Sequence, residues 1–109
     1  MNNTYQIYLI SDSTGETLER IFLALKAQFK NFNYKIHQYS FTRTENQILK
    51  ILDICKKQKN SIILYTIVDS KLAKFLDQES SKIKISCFGV LGDLIISFSK
   101  LLKQQASHI

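Results

Sequence analysis

Four times along this chain a short β-prone apolar run gives way to a segment whose apolar residues recur at helical spacing, and few folds accommodate that rhythm. Tyr5-Gln6-Ile7-Tyr8-Leu9-Ile10 predicts a strand over 5–11, and Leu18, Ile21, Phe22, Leu25 and Phe29 predict a helix over 14–30. Residues 34–42 alternate in polarity like a strand, and Ile48, Ile51, Leu52 and Cys55 share one face of a helix over 44–58. Residues 61–67 read as a strand buried on both faces, followed by Leu72, Phe75 and Leu76 in a helix over 70–80. Residues 84–90 read as a fourth strand, and Leu94, Ile95, Phe98, Leu101 and Leu102 form a last apolar stripe within 92–104. Four βα units imply an α/β fold: an open parallel sheet of about four strands with helices on its faces and right-handed crossovers, a Rossmann-like half. The tail from Gln104 to Ile109 carries no structure signal.

The length, 109 residues, allows one domain with one core. No apolar run is long enough to span a bilayer, because Lys84, Asp93 and Lys100 interrupt the best candidate, so no membrane partner is expected. Met1-Asn2-Asn3-Thr4 lacks the basic and apolar regions of a signal peptide. Cys55 and Cys87 lack metal-type spacing and fall on a helix face and in a strand, which predicts reduced core thiols and a cytoplasmic location. The net charge is +6, but 13 of the 15 basic residues are Lys scattered along the chain. With no basic helix and no aromatic RNA-binding motif, nucleic acid is not an expected partner.

The densest polar cluster, Ser11-Asp12-Ser13-Thr14-Gly15-Glu16-Thr17, sits where the first strand turns into the first helix. Ligands bind at such turns in open α/β sheets, and helix N-termini favour anions. Two readings fit. Asp12, Ser13, Thr14, Gly15, Glu16 and Thr17 form a phosphate or anion site, or Ser13 and Glu16 form a plain capping box. The cluster is not a P-loop, lacking the second Gly and the Lys.

A parallel sheet gathers the polar residues that follow each strand along one edge: Arg43 and Thr44 after the second, Thr66 and Asp69 after the third, Gly89 and Gly92 after the fourth. Arg43 is one of only two arginines, and its guanidinium can hold phosphate bidentately; the competing reading is a surface salt bridge. Arg20 follows Glu16 by four residues and is explained by an i,i+4 pair. Asp69 also reads as an N-cap. His37 reads as a half-exposed sheet residue, and His108 lies in the tail, so no Ser-His-Asp triad is expected. No residue set has zinc-ligand spacing, and Asp12 with Asp69 is too little to specify magnesium, so no metal is expected.

Residues Ile10 to Thr17 resemble the N-terminal signature of the bacterial and plant regulators of pyruvate, phosphate dikinase and of phosphoenolpyruvate synthase. Phe41-Thr42-Arg43-Thr44, Leu64-Tyr65-Thr66-Ile67-Val68-Asp69 and Val90-Leu91-Gly92 match in the same order, so the resemblance spans about residues 5 to 100. It implies a bifunctional enzyme. Such regulators use ADP to phosphorylate a Thr of the dikinase or synthase, acting as a serine/threonine kinase. They remove that phosphate with inorganic phosphate, releasing pyrophosphate. The family's nucleotide P-loop lies in the C-terminal half of a chain more than twice this long, and Lys50, Lys56 and Lys57 follow no Gly-rich turn. Asp93 stands where Pro is usual, and Gly89 where an acid is common. The expectation is therefore that 1–109 is a single domain equivalent to the family's N-terminal part, without the C-terminal P-loop domain and with no cofactor of its own. Its expected partners are the dikinase or synthase, a separately encoded C-terminal half, and a second copy in a homo-oligomer. The alternative is a non-enzymatic phosphate- or protein-binding module, or a gene remnant.

Overall fold

The computed structural model describes residues 3–106. The N-terminal residues Met1 and Asn2, read as lacking a signal peptide, and the tail residues Ser107, His108 and Ile109, read as carrying no structure signal, lie outside the described residues. The chain runs β1 (Tyr5–Ser11), α1 (Glu16–Lys26), β2 (Tyr34–Tyr39), α2 (Glu45–Cys55), β3 (Ser61–Thr66), α3 (Ser70–Lys82), β4 (Ser86–Gly89) and α4 (Gly92–Leu102). All strands pair in parallel in the order β2-β1-β3-β4. The α/β fold with a four-stranded parallel sheet and alternating helices is the one expected from the fourfold rhythm.

Two neighbours and two covered faces explain the apolar β1. Its last five residues are buried. Tyr8 and Ile10 point to the face where α2 and α3 lie, packing with Ile48, Ile51, Leu52, Cys55, Ile63, Leu72 and Leu76. Ile7 and Leu9 point to the opposite face, where α1 seats Leu18 and Phe22 against them and against Leu64. The edge strand β2 closes this second layer with Tyr34 and Ile36, and Phe22 and Tyr34 meet edge-to-face at 5.1 Å.

Several element ends differ from the sequence reading. The first helix starts at Glu16 rather than 14, because Gly15 at φ 88° turns the chain in the left-handed region. It stops at Lys26, where the amides of Gln28 and Phe29 bond only three residues back and tighten the turn. The second strand stops at Tyr39 because Phe41 takes φ 53°, which no strand continues. Cys55 is buried as expected, whereas Cys87 is only half-buried, because β4 is an edge strand. No helix among the described residues is long and apolar enough to cross a membrane.

Candidate functional site at the C-terminal strand edge

The parallel register brings the ends of β1, β2 and β3 together: Ser11 lies opposite Thr66, and Ile10 opposite both Tyr39 and Tyr65. Backbone bonds then join the three following loops. The Thr42 amide donates to the Ser11 carbonyl at 2.8 Å, the Phe41 amide to the Ser13 carbonyl at 2.9 Å, and the Asp12 amide to the Thr66 carbonyl at 3.2 Å. Ser40 Oγ adds a bond to the Thr14 carbonyl at 2.8 Å. Ser11 is the buried centre of this junction. Its Oγ accepts from the Ser13 amide at 3.1 Å and from Thr66 Oγ1 at 3.2 Å, and lies 3.2 Å from Ser13 Oγ. Buried hydroxyls carry such bonds because an unpaired one costs about 1–3 kcal/mol.

Asp12 points across the junction, where Oδ2 accepts from the Val68 amide at 2.9 Å. Its carbonyl accepts from Arg43 Nε at 3.0 Å. The Arg43 guanidinium also lies 5.4 Å from the centre of the Phe41 ring, which the left-handed backbone of Phe41 turns outward. A guanidinium held by Nε and a ring face is pre-positioned, and its terminal N–H groups form no ion pair among the described residues. The surface salt bridge read for Arg43 is thus replaced by a backbone bond and an aromatic contact.

The capping box read at Ser13 and Glu16 is not formed. The Ser13 hydroxyl is engaged with Ser11, Gly15 is the N-cap, and no side chain caps α1; only Thr14 Oγ1 approaches the Glu16 amide, at 3.5 Å. A helix start without a cap leaves amides for another acceptor. Glu16, Thr14 and Thr17 are exposed around it. The capping box occurs instead on α2, where Thr44 Oγ1 accepts from the Gln47 amide at 3.1 Å and Gln47 Oε1 accepts from the Thr44 amide at 3.0 Å. The signal was present as Thr44-Glu45-Asn46-Gln47. Thr44 therefore holds a helix end, and so does Asp69, whose carboxylate accepts from the Lys71 amide at 3.0 Å and caps α3. The Glu16–Arg20 pair is absent from the ion pairs of the described residues, as exposed pairs gain little.

A cavity of about 860 Å³ opens between these loops and α4. Asp12, Arg43 and Asp69 line it, joined by two cations that sequence reasoning missed, Lys71 and Lys100. Lys71 carried a signal, standing two residues after an N-cap at a strand end. Lys100 carried none, since its place depends on how α4 lies. Each carboxylate accepts one backbone amide and keeps its charge, so the lining sets three cations against two anions. Gly92 is not in this group. With Gly89 it lines a separate hollow of about 610 Å³ beside Tyr65, Asp77 and Cys87. There the Tyr65 hydroxyl donates to Asp77 at 2.9 Å, and burial beside that carboxylate raises its pKa.

His37 is half-buried in β2. Its Nε2 lies 2.7 Å from Gln6 Oε1 and its ring stacks on Tyr8 at 4.7 Å, and burial and Lys35 lower its pKa. It stands well before the strand ends that build the site. No group of three His, Cys, Asp or Glu residues fit for a metal ion occurs among the described residues.

Residues 7–109 match the sequence model of the kinase/pyrophosphorylase family. A pyruvate, phosphate dikinase regulatory protein of Pelagibacter ubique is 67% identical over 109 residues, all of this chain and 40% of the relative. Proteins of the same name from Geotalea uraniireducens and Agrobacterium fabrum are 39% and 40% identical, over 89% and 90% of this chain and 36% of each relative. The chain thus spans about 40% or less of the length of these relatives.

Proposed function

Because the chain belongs to the kinase/pyrophosphorylase family, we propose that it is the phosphate-handling part of a regulator of pyruvate, phosphate dikinase, working within a larger assembly that supplies the nucleotide site. The relatives' name supports the dikinase over the synthase as target. The proposed whole reaction is ADP-dependent phosphorylation of a target Thr, and phosphate-dependent removal of that group with release of pyrophosphate.

One observation carries the reading: Arg43, fixed by its Nε bond to the Asp12 carbonyl, lines a cavity together with Lys71 and Lys100. Phosphoryl transfer depends on positioning and on neutralising charge, and a fixed guanidinium supplies both. In this reading Arg43 receives two phosphate oxygens, the α1 amides behind Gly15 receive a third, and Ser13 and Thr14 add hydroxyls. Asp12 sets the distance between the β1 and β3 loops rather than meeting the anion. ADP belongs to the larger assembly, since no Gly-rich P-loop occurs in this sequence.

A thermal melt with phosphate, pyrophosphate or ADP tests this. A ligand at 100 times its Kd adds about 2.7 kcal/mol to the folded state, so phosphate or pyrophosphate raises the midpoint by several degrees while ADP does not. Arg43→Gln removes most of that shift and leaves the unliganded midpoint near that of the parent. A parent melt indifferent to both anions defeats the proposal.

A further inference from the structure

We propose that β4 and α4 form a docking surface for a body homologous to the remainder of the relatives' chain, which adds a strand to the free edge of β4 and covers α4. The proposal rests on the family reading above. Leu94, Phe98, Leu101 and Leu102 fall at i, i+4, i+7 and i+8, one stripe of α4, and all are exposed, Leu101 at 77%. The side bearing Ile96, Ser99 and Lys100 lines the cavity. The helix therefore turns its most apolar stripe away from its own domain and buries no residue. Contiguous apolar surface of this kind marks an interface. The strand before it is equally unfinished: β4 pairs only with β3, and Phe88 is 55% exposed.

The occupant follows from the length of the family's chains. The family match runs through α4 to residue 109, so this helix belongs to the family's pattern, and the 67% identical relative carries 60% of its length outside the matched part.

The test is a hybrid in which this chain replaces the matched part of that relative, compared with the free chain by hydrogen exchange. In the hybrid the α4 amides exchange slower by on the order of a hundredfold or more, and Leu101→Asp lowers the melting midpoint of the hybrid while leaving that of the free chain unmoved. Equal α4 exchange in the folded hybrid and the free chain overturns the proposal. So does slowing in the free chain that grows with its concentration and accompanies a dimer in sedimentation, which makes a second copy the occupant. If the hybrid does not fold, the two pieces are co-expressed, and failure of tagged chain to retain soluble remainder overturns it. Phosphate binding by the free chain is read separately, so loss of the anion reading and loss of this one are distinguishable.

Discussion

The first three strands with their helices and the final β4–α4 pair use the same residue types to opposite ends. α2 is the less apolar helix in sequence, yet it buries Ile48, Ile51, Leu52 and Cys55, while the more apolar α4 buries nothing. β1 buries five of its seven residues and β4 none of its four. The difference is one of neighbours. β1 is flanked by β2 and β3 with helices over both faces, whereas β4 has a partner on one side only. Apolarity supplies the tendency to be covered, and topology decides whether a covering is at hand.

The sharpest way to break this contrast is a pair of leucines. Leu76→Ala, at a fully buried position, is expected to cost about 3 kcal/mol in urea unfolding. Leu101→Ala on α4 is expected to stay within about 0.5 kcal/mol. Equal losses would mean that α4 is packed after all. A second pair lies within the open region. A Cβ on Gly89 would stand 2.8 Å from the Tyr65 ring and hydroxyl, while one on Gly92 meets nothing within 4 Å. Gly89→Ala should cost about 1–3 kcal/mol and disturb the Tyr65–Asp77 bond, visible in tyrosine absorbance. Gly92→Ala should be neutral or stabilise by up to about 1 kcal/mol, since helical Ala is favoured over Gly. At the closed end, Asp69→Ala removes the cap of α3 and is expected to lower stability by about 1 kcal/mol by the same unfolding measurement.

The smallest effect is read in the thiols. Burial pushes both Cys55 and Cys87 up to about 12, so neither is a thiolate at pH 8 and both alkylate far more slowly than an ordinary exposed thiol. Cys55 sits in the closed region and Cys87 in the open one. Timed iodoacetamide labelling followed by mass spectrometry should therefore show Cys87 modified first, and the reverse order would place the looser packing around α2.

Much of the fold was legible because burial imposes period. β1 and β3 alternate or run apolar as their neighbours require, and their expected and observed limits agree to within a residue. Two ends were hidden in single backbone angles, the left-handed Gly15 and Phe41, which polarity patterns do not register. The site was legible as a strand-end cluster, but its internal assignments were not. The Ser13 hydroxyl is engaged by Ser11, whose other hydroxyl partner, Thr66, lies 55 residues from it in sequence. The strand order β2-β1-β3-β4 and the meeting of Lys71 with Lys100 are likewise products of long-range closure, for which no local pattern exists.

The buried Ser11 hydroxyl gives the junction a direction. With one lone pair taken by the Ser13 amide and the other by Thr66 Oγ1, its single proton goes to Ser13 Oγ. Ser13 is then an acceptor on its inner side, and its own proton faces outward. The three hydroxyls are thus ordered in one direction, with donation starting at Thr66 on the β3 side, passing through Ser11 and ending on Ser13.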